Sequence, residues 1–118
     1  MAPRQAVPLD LAFDVPDLFF SEFANIVWKK VRTAELDAVA AAKIVDAMLR
    51  VPKTVHAAEA LLPSALAIAL DSGRTVYDSL YLALAVFLDC PLVTADKRLR
   101  NGLANTHWVS SLRWIEEA

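Results

Sequence analysis

Asp78 and Asp96 are the two residues whose surroundings most strongly indicate chemistry. Apart from tyrosine hydroxyls, Asp78 and Ser79 carry the only polar side chains before Asp89 in an otherwise apolar segment. Asp96 comes shortly after another apolar run, residues 91–94. Each carboxylate therefore borders a segment whose composition predicts burial, and such a place favours a functional role.

The elements predicted between these aspartates bring the chain back to where it started. A helix over 77–89 rises about 18 Å at about 1.5 Å per residue. The strand that begins at Pro91 retraces about 13–16 Å at about 3.3 Å per residue. We therefore expect Asp78 and Asp96 to lie close together at the carboxyl end of a parallel sheet, where open α/β folds place their sites.

Glu22 is a candidate third acid. It lies near the start of a helix predicted to begin at Pro16 and Asp17, with Asn25 and Lys29 on the same face. Three carboxylates at one partly buried edge raise one another's pKa. A hard divalent cation removes that conflict, since Mg²⁺ prefers carboxylate oxygens. Such a metal also lowers the pKa of a bound water and assists displacement at phosphorus.

Each of these residues also has a purely structural interpretation. Asp78, in the first turn of its helix, would interact favourably with the helix dipole. Asp96 would cap a helix that begins at Lys97. Glu22 would be solvated on a polar face. Cys90 is predicted to be a small buried side chain, and the two histidines show no pairing typical of a metal site.

The elements that must position these residues alternate between helices and short apolar strands. Such alternation indicates an α/β class, with a short parallel sheet flanked by helices. Strands are predicted over 53–57, 91–94 and 106–109. Helices are predicted over 16–32, 34–50 (with Thr33 as N-cap), 62–71, 77–89 and, as a final turn, 111–117.

Composition limits the classes of function. The 118 residues suffice for one domain, 57% are hydrophobic and the mean hydropathy is +0.40. No apolar run reaches the roughly 18 residues that a membrane helix needs. The single cysteine fits a reducing cytoplasm. The net charge of −2 excludes binding of nucleic acid by a general positive field, so such a role needs a local site.

Three segments resemble one family. TVYDSLYLALA (75–85) and CPLVTADKRL (90–99) closely resemble the C-terminal half of PIN domains, the metal-dependent ribonuclease domains of VapC-type bacterial toxins. PDLFFSEFANIVWK (16–29) resembles the family's helix that carries a glutamate. The resemblance covers about residues 15–117 and implies one domain over 1–118, with a PIN-like three-layer sandwich.

The resemblance implies an Mg²⁺- or Mn²⁺-dependent endoribonuclease whose catalytic and metal-coordinating acids are Glu22, Asp78 and Asp96. It also implies an RNA substrate, a VapB-type antitoxin and a cytoplasmic homodimer, with no role at a membrane. Three further polar residues are expected to support the acids, by orienting a ligand or contacting phosphate. They are Asn25, Thr94 and Lys97.

One feature of the family is not matched. PIN domains begin with a central strand that ends in a further aspartate, and the residues before Glu22 leave no room for it. Asp10 and Asp14 do not fit that opening motif. Either the chain starts late, as an N-terminally truncated domain, or residues 5–13 replace the strand, or the chain is a degenerate member. A missing central strand would expose two strand edges, which a second copy or an antitoxin would cover. The alternative function is a catalytically impaired PIN-like module that serves dimerisation or antitoxin binding.

Overall fold

A computed structural model describes residues 13–94 and 96–117. Within them the mixed α/β class predicted from the sequence is confirmed, as five α-helices and two short two-stranded sheets. The chain divides into two units, residues 1–55 and 56–118. In chain order the elements are β1 (Phe13–Pro16), α1 (Leu18–Arg32), α2 (Ala38–Arg50), β2 (Lys53–His56), α3 (Ala58–Ser72), α4 (Val76–Phe87), β3 (Leu92–Thr94), α5 (Lys97–Leu103) and β4 (Leu112–Trp114).

The first unit pairs two helices with the β1–β2 sheet. The Phe13 amide donates a hydrogen bond to the Pro52 carbonyl, 3.2 Å away, at the edge of this sheet. Helix α1 begins after Pro16 and Asp17 and ends at Arg32, as predicted. Its buried residue is Val27. The strand predicted over 53–57 is also confirmed, as β2. Pro52, just before it, cannot continue the preceding helix.

The predicted start of α2 is wrong by four residues. Thr33 is the C-cap of α1, and Ala34 adopts a left-handed conformation with φ 61°. The helix begins at Ala38, because the Asp37 side chain accepts a hydrogen bond from the Ala40 amide at 2.7 Å. Aspartate is among the strongest N-cap residues, and it takes the role predicted for Thr33.

The second unit is built around the packing of α3 against α4. Ile68 and Leu82 are completely buried, and burial of each such side chain contributes about 1.5–3 kcal/mol. Helix α4 is the buried helix predicted from its composition. Helix α3 begins at Ala58, four residues before the predicted start, with Pro63 inside it. Among the described residues, no helix has the length and apolarity needed to span a membrane.

The C-terminal strand lies later than predicted. Residues 106–109 do not form a strand, because a 3₁₀ helix occupies His107–Ser111. The strand is β4, Leu112–Trp114, within the segment predicted as a helical turn. It pairs in parallel with β3, and Thr94 lies opposite Trp114. Pairing with a distant strand therefore overrides the local helical pattern of the last residues.

The expectation of a missing central strand concerns the N-terminal residues. Residues 1–12, with Asp10, lie outside the described part of the chain. Asp14 lies on β1, which pairs with β2. The expectation of a truncated single domain therefore stays a prediction.

Candidate active site

Asp78 is positioned by the first turn of α4. Thr75 is the N-cap of this helix, and its hydroxyl accepts a hydrogen bond from the Asp78 amide at 3.1 Å. The Thr75 carbonyl accepts a second one, at 2.8 Å, from the hydroxyl of the fully buried Ser79. The Asp78 side chain is 35% exposed. Its carboxylate therefore stands on a capped helix start and remains accessible to solvent.

Asp96 is held by the turn between β3 and α5. The Thr94 hydroxyl accepts a hydrogen bond from the Asp96 amide at 3.0 Å. Asp96 Oδ1 accepts from the amides of Arg98 and Leu99, at 2.9 and 3.2 Å. Asp96 is thus the N-cap of α5, as the structural interpretation of this residue predicts. It uses Oδ1 alone, which leaves Oδ2 for another partner.

Both carboxylates meet the guanidinium of Arg74. Arg74 Nη2 lies 3.0 Å from Asp78 Oδ2 and 3.9 Å from Asp96 Oδ2. The two aspartates, eighteen positions apart in the sequence, are therefore brought to one place. The sequence interpretation missed Arg74, although its position four residues before Asp78 is a recognisable signal of an ion pair.

The chemistry of this donor set fits a hard divalent cation. Asp78 and Asp96 offer carboxylate oxygens, the ligands that Mg²⁺ prefers, and they already attract one cationic group. Within the described residues of either unit, no three acidic, histidine or cysteine side chains are grouped closely enough to hold a metal. Asp78 and Asp96 are two acids of the second unit that face one cationic group, and their role as metal ligands stays a prediction.

Glu22 and Asn25 belong to the first unit. They lie on α1 three residues apart, Glu22 half-buried and Asn25 exposed. Their spacing places them on one face of the helix, as predicted. The roles of Glu22 as a third acid and of Asn25 as its support stay predictions.

The other candidate residues of the second unit have varied surroundings. Thr94 contacts the backbone of Asp96, and Lys97 is the exposed first residue of α5. The burial predicted for Cys90 is wrong, because its side chain is exposed after the end of α4. His107 lies in a 3₁₀ helix and packs on Trp108, with ring centroids 4.3 Å apart.

Comparison with known proteins places this chain in a family. The model of the PIN domain matches residues 12–102, which is most of the chain and includes Glu22, Asp78 and Asp96. The chain belongs to the PIN domain family. The family predicted from the sequence is thereby confirmed, and the α/β elements described above are those of a PIN-like fold.

One curated relative indicates which group of PIN proteins the chain resembles. The chain is 36% identical over 85 residues to Ribonuclease VapC3 of Pyrobaculum aerophilum. That alignment covers 70% of this chain and 65% of the relative, so it spans slightly less than two thirds of the relative's length. The likeness supports a VapC-type PIN protein.

Proposed function

We propose that this PIN protein is a metal-dependent endoribonuclease of the VapC toxin type. The observation that carries the proposal is the meeting of Asp78 and Asp96 at one cationic group. We propose that these two carboxylates, together with Glu22, hold Mg²⁺ or Mn²⁺. The bound cation would supply a water of lowered pKa and neutralise charge on the phosphate.

The residues of the chain do the positioning in this proposal. The cap of α5 fixes Asp96 through Oδ1, so that Oδ2 is the oxygen that would face the cation. The first turn of α4 fixes Asp78. Lys97, next to Asp96 and exposed, is suited to contact a phosphate oxygen as a point charge. Because the protein carries a net charge of −2, the affinity for RNA must come from such local contacts.

The partners in this proposal follow from the family and the relative. RNA is the proposed substrate, since the similar protein is named a ribonuclease. A VapB-type antitoxin and a second copy of the chain are the proposed protein partners, and the cytoplasm is the proposed location. Large exposed apolar side chains support a protein partner, among them Leu70, 76% exposed, and Phe87, 71% exposed.

The test is cleavage of a labelled RNA by the purified protein with Mg²⁺ or Mn²⁺. We expect EDTA to abolish cleavage, and Asp78→Asn and Asp96→Asn each to lower the rate by more than about 100-fold. Loss of groups that only support a metal ligand already costs about 10–100-fold, so loss of a ligand costs more. Asparagine is also a good N-cap, so Asp96→Asn keeps the capping of α5 while removing the charge.

Asp89→Asn is the matched control for these variants. Asp89 is an exposed aspartate beyond the other end of α4, and its φ of 54° suits asparagine. This variant removes one negative charge and should cleave at the wild-type rate. Cleavage that persists in Asp96→Asn would contradict the assignment of the site.

The second candidate function is a catalytically impaired PIN module that binds a protein partner. The observation in its favour is an apolar groove between α1 and α2, lined by side chains such as Trp28, Val45 and Leu49. This candidate predicts a stable complex or dimer and no metal-dependent cleavage by the wild-type chain. A monomer by light scattering that also cleaves RNA would exclude it.

A further inference from the structure

The guanidinium of Arg74 occupies the place where a cation would meet both aspartates. It donates a hydrogen bond to Asp78 Oδ2 at 3.0 Å, whereas its 3.9 Å separation from Asp96 Oδ2 is too long for one. At that separation Asp96 attracts Arg74 through charge alone. One side chain of the protein thus already neutralises the pair.

Arg74 is poorly satisfied in this position. Its Nε is buried and has no hydrogen-bond partner among the residues that the structure describes. A guanidinium has five N–H donors in a fixed fork and binds carboxylates best with two parallel hydrogen bonds. Its interaction with Asp78 is therefore weaker than a bidentate pair with two hydrogen bonds. A divalent cation that binds the carboxylates more strongly can displace it.

The backbone of Arg74 is tied down independently of its side chain. Its amide donates a hydrogen bond to the Ser72 hydroxyl at 3.1 Å, beside the left-handed Gly73 that ends α3. Departure of the guanidinium from Asp78 therefore needs only rotation of a side chain that is 25% exposed. The hydrogen bond between the Arg74 amide and Ser72 can stay in place when the guanidinium leaves.

We propose that Arg74 is a positioning residue that competes with the metal. Its guanidinium holds Asp78 and Asp96 together while no metal is bound, and it must leave Asp78 Oδ2 when a divalent cation arrives. The inference rests on the proposed metal-dependent function. The positive charge of Arg74 opposes a divalent cation that binds the same two carboxylates, so Arg74 lowers the affinity of the site.

The test is calorimetric titration of the purified protein with MnCl₂. We expect Arg74→Gln to bind Mn²⁺ about tenfold more tightly than the wild type, because the competing charge is gone. Arg74→Lys keeps the charge and should bind with nearly the wild-type affinity. Arg50→Gln is the matched control, since Arg50 pairs with Asp46 in the first unit at 2.9 Å and its loss changes the net charge equally.

The outcomes separate this inference from the proposed function. Tighter binding by Arg74→Gln, with Arg50→Gln unchanged, supports competition. Equal or weaker binding by a folded Arg74→Gln, with the wild type still binding Mn²⁺, overturns the role of Arg74 and leaves the metal site standing. Absence of binding in the wild type and in both Arg74 variants overturns the proposed metal site itself, and the inference with it. Circular dichroism of each variant establishes that it is folded.

Discussion

At the scale of single residues, the two carboxylate oxygens of Asp96 face different partners. Oδ1 caps α5, and Oδ2 faces the cationic group that Asp78 also contacts. The structural and the functional interpretations of this residue are therefore compatible. The sequence could not separate them, since a helix start and a metal ligand both favour aspartate.

A nearby hydroxyl lowers the pKa of the Glu35 carboxylate. The Thr33 hydroxyl donates a hydrogen bond to Glu35 Oε2 at 2.6 Å, and Lys30 Nζ lies 3.8 Å from Oε1. The hydrogen bond first, and the charge of Lys30 second, lower the pKa of Glu35 below its ordinary value of 4.5. Both contacts favour the ionised form.

This lowered pKa predicts a pH dependence. The stabilisation from Glu35 is present above the pKa of the unfolded chain and is lost as the pH falls through the lower pKa of the folded chain. We expect Thr33→Val to raise the pKa of Glu35 more than Lys30→Gln does, as measured by NMR titration of the carboxyl carbon. Only the Lys30 contribution should shrink with added salt. An unchanged pKa in Thr33→Val would contradict this account.

At the scale of elements, Gly102 lets α5 pack closely against the end of α3. A Cβ on Gly102 would overlap the carbonyl oxygen of Ser72. Because Ser72 anchors the Arg74 backbone and α5 begins beside Asp96, this close approach holds the residue before Arg74's turn next to the helix that follows Asp96. Glycine here serves packing, although it weakens the helix.

Gly102→Ala should therefore destabilise the protein, despite the higher helix propensity of alanine. We expect a loss of about 1–3 kcal/mol in the free energy of unfolding, as for other overpacked sites. Urea unfolding followed by circular dichroism measures it. Asn101→Ala is the control, because Asn101 is exposed in the same helix and should be neutral or slightly stabilising. Equal stability of the two variants would argue against a close approach.

The helix starts show which boundaries a sequence can predict. The start of α1 was predicted well, because Pro16 and Asp17 leave little choice. The start of α2 was not, because Thr33 and Asp37 are both good caps and the left-handed Ala34 decides between them. A sequence can offer two possible caps, and the backbone conformation between them shows which one the helix uses.

At the scale of the whole molecule, apolar surface is the most prominent unexplained feature. Three leucines four residues apart on α3 are exposed by 45%, 52% and 76%: Leu62, Leu66 and Leu70. Such a stripe along one helix face is typical of a protein interface. It agrees with the homodimer proposed for this chain.

The homodimer predicts a molecular mass about twice 12.9 kDa in light scattering. Leu66→Glu should convert the protein to a monomer, since the introduced charge would be buried without a partner. Val39→Glu is the matched control, because Val39 is an equally apolar and 66% exposed residue on α2. A wild-type monomer, or a Leu66→Glu dimer, would contradict the proposed interface.

The sequence by itself determined the α/β class, the PIN family and the return of Asp96 toward Asp78. The return follows from the rise of a helix and of a strand. The class follows from the alternation of helices and short apolar strands, and the family from the resemblance of three segments to PIN domains. The tertiary structure decided that Arg74 joins the two aspartates, that Leu112–Trp114 is a strand and that α5 needs Gly102. Each of these three depends on residues that meet only after the chain has folded. Side-chain partners and strand pairing are therefore set by packing, whereas the placement of the two aspartates is already encoded in the segment that connects them.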